Sequence, residues 1–204
     1  MEHTADLQRG QASRADESEL IGHEDAEANE ETRLIRAAQA NIVAFDALYE
    51  RYLPRIYRYA RAHVGDEQEA ADLTQLVFLR ALEALPRFQP RGVPFAVWLF
   101  RIARHAAIDT RRRQRPSVPW ETSAAAMRAD AGEPLQGVIQ REEMERLRRA
   151  ISQLAREQQE LLALSFAAGL SAPEIASVLG IKPDATRKRL SRVIAALKEN
   201  FHAS

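Results

Sequence analysis

Ser171-Ala-Pro-Glu-Ile-Ala-Ser-Val-Leu-Gly180-Ile-Lys-Pro-Asp-Ala-Thr-Arg-Lys-Arg-Leu190 reads as a helix, a tight turn and a basic helix. Ser171 is a residue type that caps a helix start. Ile175, Ala176, Val178 and Leu179 give the first helix an apolar face, and Gly180 ends it with a residue able to take positive φ. Pro183 and Asp184 open the second helix, where proline is tolerated and an acid suits the dipole. That helix carries Arg187, Lys188, Arg189 and Arg192 on one side and Leu190, Val193, Ile194 and Leu197 on the other. The small Ala176 lets the two helices cross closely. This is the layout of a helix-turn-helix whose second helix enters the DNA major groove. A structural hairpin with a solvated basic face competes with that reading. The small residue, the glycine and the cations stand at mutually correct spacings, which favours DNA.

Composition narrows the class. No apolar run approaches a membrane span, because Arg101 interrupts Phe95–Phe100, and the polar, acidic N-terminus is not a secretory signal. The absence of cysteine excludes disulfides and thiolate metal sites. A cytoplasmic protein without membrane insertion fits best. The formal net charge of zero conceals an asymmetry. Residues 1–32 hold ten acids against Arg9 and Arg14, a net of −8, which leaves +8 on residues 33–204. A basic body implies a polyanionic ligand. The acidic tail reads as a disordered, solubilising extension, with competition for the DNA-binding surfaces as its functional alternative.

Helical periodicity starts near Thr32 and continues through Phe45, Leu48, Tyr49, Tyr52, Ile56 and Tyr59, with Pro54 expected to kink or break it near Leu53. A second helix spans about Glu67 to Leu85 and a third about Phe95 to Arg113. Pro116, Pro119, Gly132, Pro134 and Gly137 mark a linker. Helices resume near Ile139. No useful alternating strand pattern and no repeat appear. The expectation is an all-α chain of two small helical domains joined by a flexible linker. Its segments are an acidic extension (1–32), a first domain (33–115), the linker (116–138) and the helix-turn-helix domain (139–204).

The third helix mixes Phe95, Trp98 and Phe100 with Arg101, Arg104 and Arg111–Arg113. Arginines bind phosphates, and aromatics stack on or pocket unpaired bases. Helical spacing places Trp98 and Ile102 on one face, which favours core roles for them. The cluster Arg111, Arg112 and Arg113, with Arg115, is assigned to phosphate contact.

Four segments in order resemble bacterial extracytoplasmic-function (ECF) sigma factors, the minimal two-domain members of the primary sigma superfamily. They are Phe45-Asp-Ala-Leu-Tyr-Glu-Arg-Tyr52, Ala71-Asp-Leu-Thr-Gln-Leu-Val-Phe-Leu-Arg-Ala81, Phe95-Ala-Val-Trp-Leu-Phe-Arg-Ile-Ala-Arg104 and Leu170–Gly180. The resemblance covers about Ile35 to Leu197. It implies that residues 33–115 are sigma region 2 and residues 139–204 sigma region 4. It further implies that Asp72, Gln75, Phe78 and Leu79 dock on core RNA polymerase. Phe88, Arg101, Arg104, His105, Arg111, Arg112 and Arg113 would hold the melted −10 strand, in the manner of extruded bases. Lys182, Arg187, Lys188, Arg189 and Arg192 would read the −35 duplex of promoter DNA, with arginine paired to guanine edges.

The sequence departs from the family at several positions. His105 replaces the usual asparagine, Ala172 an aromatic and Ala155 a proline. Ala71 and Leu76 replace acids in the polymerase-docking helix. Thr74 follows Ala71 by three residues, and a phosphate there would restore about −1.5 to −2 charges. Some branches of the family replace an anti-sigma factor with a Ser/Thr kinase, so phosphorylation at Thr74 is one expectation and an ordinary helix-surface threonine the other. Two rival functions remain, a plain helix-turn-helix regulator and a sigma mimic that binds an anti-sigma protein. An enzyme is disfavoured: there is no glycine-rich phosphate loop, no metal-ligand spacing and no nucleophile–base pair. No cofactor or metal is expected.

Overall fold

The computed structural model describes residues 29–64, 66–89, 92–113 and 134–203, and every regular element among them is helical. The chain is all-α, as expected. The acidic tail and most of the linker lie outside the described residues. The chain divides into two compact units, Met1–Leu48 and Tyr49–Ser204.

In the first unit, α1 (29–40) is followed by a short 3₁₀ turn, Ile42–Ala44. The Asn41 side-chain oxygen accepts from the Val43 N–H at 3.0 Å and starts that turn. Ile35, Ala38, Phe45 and Leu48 are buried.

The helix α2 (Phe45–Arg61) then leads into the second unit and runs unbroken past Pro54. The break expected near Leu53 does not occur. A proline inside a helix forfeits a hydrogen bond and clashes, at about 3 kcal/mol. Tyr52, Ile56 and Tyr59, spaced three and four residues apart, are almost fully buried on one face of α2. Burying such side chains contributes about 1.5–3 kcal/mol each, enough to override the proline.

Asp66 caps α3 (Glu67–Ala84), its carboxylate accepting from the N–H groups of Gln68 and Glu69 at 2.6 and 3.2 Å. A 3₁₀ turn, Leu85–Arg87, leads towards α4 (Phe95–Arg113). Aromatic rings join these helices: Tyr52 meets Phe95 at 5.3 Å, Tyr59 meets Phe100 edge-on at 5.5 Å, and Tyr49 meets Phe78 at 4.6 Å.

Helix α5 (Pro134–Ser152) begins earlier than the expected Ile139, with Pro134 at a first position where its missing N–H costs nothing. Then come α6 (Arg156–Leu162), a π-helical turn (Ala163–Ala167), α7 (Ala172–Leu179) and α8 (Pro183–Ala203). Glu174 closes the start of α7 by accepting from both the N–H and the hydroxyl of Ser171, at 2.8 and 2.7 Å. Gly180 ends α7 in the left-handed region at φ +70°, and the Ile181 N–H returns to the Ala176 carbonyl at 3.0 Å. Ala176 and Val193 are buried, so α7 and α8 pack through the small residue the sequence marks.

A Cβ at Gly180 would meet nothing within 4 Å, so a substitution there tests backbone conformation alone. Gly180→Ala is expected to cost about 1–2 kcal/mol in urea unfolding. An unchanged midpoint would refute the requirement for a left-handed turn.

Candidate nucleic-acid interface

The exposed stripe of α3 carries Asp72, Gln75 and Leu79, with Leu79 55% exposed. An apolar side chain held in water beside an acid and an amide suits a protein partner. Gln68 donates to Asp72 at 3.0 Å and orients its carboxylate. Phe78 does not share this stripe. It is buried against Tyr49, so its part is to hold α3 rather than to touch a partner. Thr74 is also in the interior: it is 3% exposed, and its hydroxyl donates to the Ala70 carbonyl at 2.7 Å. This corrects the reading of Thr74 as a helix-surface residue. The buried stripe of α3 is Ala70, Leu73, Thr74, Val77, Phe78 and Ala81, and threonine joins it because a back-bonded hydroxyl needs no water.

On α4 the candidates separate. His105, Arg112 and Arg113 are exposed. Phe88, just before α4, is buried in a cluster with Phe95 at 5.6 Å and Trp98 at 4.7 Å. Its ring is therefore committed to packing rather than open to a base. Trp98 keeps one part exposed while stacking on the same cluster. Arg101 donates to the Ser177 carbonyl of α7 through Nη2 and Nε, at 2.6 and 3.1 Å. Burial, and then the charge of Arg156, hold the Arg111 guanidinium below its usual range.

The five cations Lys182, Arg187, Lys188, Arg189 and Arg192 are all exposed at or along α8, while Val193 anchors the opposite face. Arg187 pairs with Asp184 one turn earlier. A long basic helix face that follows a tight turn can reach phosphates and base edges.

A carboxylate absent from the sequence-level candidates organises the ground between α2, α4 and α6. Glu160 accepts from the Tyr59 hydroxyl at 2.8 Å and from His63 Nε2 at 2.7 Å, and Arg104 Nε stands 3.7 Å away. The side chains of His63 and Glu160 are only 8% and 16% exposed. Burial alone raises the Glu160 carboxyl. The hydrogen bond and charge of His63, with Tyr59 and Arg104, outweigh it and leave the group below the ordinary carboxylate range. His63 Nδ1 faces the Tyr59 carbonyl at 2.9 Å. Tyr59 is raised well above its usual value, first by burial and then by the Glu160 charge. No local signal marks Glu160. It reads as one more polar residue on an amphipathic helix, ninety-seven positions from His63.

The Sigma-70 region 2 family model matches residues 48–117, and the Sigma-70 region 4 model matches residues 144–197. The ECF RNA polymerase sigma factor SigD of Mycobacterium tuberculosis is 35% identical over 168 residues, covering 79% of this chain and 78% of that protein. The ECF RNA polymerase sigma factor BldN of Streptomyces coelicolor is 34% identical, over 80% of this chain and 63% of its own length. Among solved structures, CnrH in complex with the cytosolic domain of CnrY matches with a TM-score of 0.65 and 27% identity, over 85% of this chain and 98% of that one. Two family matches in order and extended identity define a two-region transcription initiation factor. The chain belongs to the ECF family of RNA polymerase sigma factors.

Glu160→Ala removes the buried partner of Tyr59, His63 and Arg104, and the expected loss of stability is about 3 kcal/mol. The radius of gyration measured by X-ray scattering should rise as α6 detaches from α2; an unchanged radius would contradict the bridging role. The sign with pH is set by the depressed carboxyl. Its contribution is full above the unfolded value near pH 4.3 and is lost as pH falls through the lower folded value. Acid should therefore destabilise wild type more steeply than Glu160→Gln.

Proposed function

We propose that this sigma factor directs core RNA polymerase to promoters by reading a −35 duplex with α8 and holding a melted −10 strand along α4. The observation that carries the reading is the α8 face, where Arg187, Lys188, Arg189 and Arg192 are exposed, with Lys182 just before them, on a helix anchored by Val193 and entered through Gly180. Asp72, Gln75 and Leu79 form the polymerase-docking stripe, with Phe78 supporting it from behind. On the −10 side, Arg101, Arg104, His105 and Arg111–Arg113 supply the contacts. CnrH, which this chain resembles, is solved in complex with the cytosolic domain of CnrY, and this supports a further protein partner here, an anti-sigma factor that holds the chain.

The −35 and −10 elements are separated by about 25 base pairs, roughly 85 Å of helix. Arg104 and Arg111 line one cavity of about 630 Å³ together with Arg189 and Arg192. Both promoter elements cannot enter that space, so α8 must part from α4 before initiation. Promoter binding is thus coupled to rupture of the Glu160 contacts.

Run-off transcription with purified core enzyme and a promoter selected from a random library tests the reading. Wild type should initiate without modification; a regulator or a mimic would not. Leu79→Glu should weaken core binding at least tenfold with unchanged melting, because Leu79 already faces water. Arg187→Ala and Arg192→Ala should each cost on the order of 1–3 kcal/mol in binding to the preferred −35 duplex. Phosphorylation at Thr74 enters as a switch only if α3 loosens enough to expose its hydroxyl. Thr74→Glu is expected to bury a charge and lower stability by several kcal/mol. Transcription gained in that variant, with melting unchanged, would restore the switch.

A further inference from the structure

Residues of α4, α6, α7 and α8 line the half-open cleft of about 630 Å³. Five guanidiniums line it, those of Arg104, Arg111, Arg156, Arg189 and Arg192. The acids on the same wall are Glu157 and Glu160, and Glu160 is already shared between Tyr59, His63 and Arg104. The excess of three positive charges is gathered along one cleft, with Arg104 and Arg111 half-buried in its wall and Arg156, Arg189 and Arg192 exposed at its mouth, so the like charges repel. Arg104 Nε is buried and makes no hydrogen bond among the described residues. Apart from Gln158, the rest of the wall is apolar and includes Leu161, Leu179 and Ile181.

The volume falls within the range of small-molecule sites, about 300–1,000 Å³. A lone phosphate, at about −1.5 to −2 charges, would leave most of the space and part of the charge unanswered. A DNA duplex is too large, its major groove alone being about 12 Å wide. What fits is a ligand with three or more negative charges at one end and a flat, weakly polar body at the other.

We propose that this cavity binds a nucleoside polyphosphate, its phosphates held by Arg104, Arg111 and Arg156 and its base set against Leu161, Leu179 and Ile181. The phosphates would take paired N–H donors from the guanidiniums and relieve the repulsion between Arg111 and Arg156. Because those arginines lie on α4 and α6, the ligand joins the two helices. It also occupies the ground beside Arg189 and Arg192, so it should oppose promoter binding.

Calorimetric titration of the full chain with ATP, GTP and sodium tripolyphosphate tests this. At least one nucleotide should bind saturably at one site, raise the melting temperature and displace promoter DNA. Arg156→Glu lies on an exposed position of α6 that has no assigned part in DNA binding, so the fold should tolerate it. It should weaken nucleotide binding at least tenfold, while Arg156→Lys keeps part of the affinity. Arg149→Glu, an exposed position on α5 away from the cavity wall, should leave binding unchanged. No saturable binding, or equal losses in Arg149→Glu and Arg156→Glu, would overturn the site. Tripolyphosphate bound as tightly as the nucleotides would overturn the base subsite.

Discussion

Glu160 is an ionised carboxylate withdrawn from water, and it remains ionised only because Tyr59, His63 and Arg104 face it from α2, the segment just beyond α2, and α4. A buried carboxylate without such partners costs several kcal/mol and would neutralise instead. Around this pair lies a second set of contacts with the same logic. Arg58 donates to the Ala167 carbonyl at 3.1 Å, and Arg55 to the carbonyls of Ala168 and Gly169 at 2.7 and 3.3 Å. Arg101 reaches the Ser177 carbonyl in the last turn of α7. These acceptors sit at or just past helix C-termini, where carbonyls lack intrahelical partners and the dipole favours cations. Arginines from α2 and α4 thus complete hydrogen bonding that α7 and the π-helical turn leave open.

This division of labour explains the sorting of candidate residues on α3 and α4. The aromatics expected to meet partners, Phe78 the polymerase and Phe88 a base, are consumed by packing on Tyr49 and on Phe95 and Trp98. The polar and small apolar positions, Asp72, Gln75 and Leu79, remain outside. A ring buried on one helix face fixes the angle at which the opposite face is offered. Under the proposed reading, loss of Phe78 would therefore resemble loss of docking, because the buried ring holds the helix that offers the stripe.

Much of this was legible in sequence for a local reason. The α7–α8 motif is built from short-range signals: a cap at Ser171, a glycine at 180, cations spaced along one helix face. The all-helical class followed from periodicity in the same way. Thr74 and Phe88 were misjudged because threonine and phenylalanine each have an interior and an exterior use, and only the packing of neighbouring helices chooses between them. Pro54 does not break α2 because local propensity is outweighed by the buried face of that helix. Glu160 was invisible because its partners are brought to it by tertiary structure alone, with no sequence-adjacent residue to mark them.

The sharing of one cavity by Arg104, Arg111, Arg189 and Arg192 has a thermodynamic consequence under the proposed reading. If only the parted form engages a promoter, the apparent dissociation constant is the intrinsic one divided by the fraction of molecules already parted. Each 1.4 kcal/mol of closure then weakens every promoter tenfold, strong and weak alike. The ratio between promoters is untouched. Closure therefore sets how much of the protein competes for DNA, while the side chains on α8 set which DNA wins, and the two quantities can be changed by mutation independently of each other.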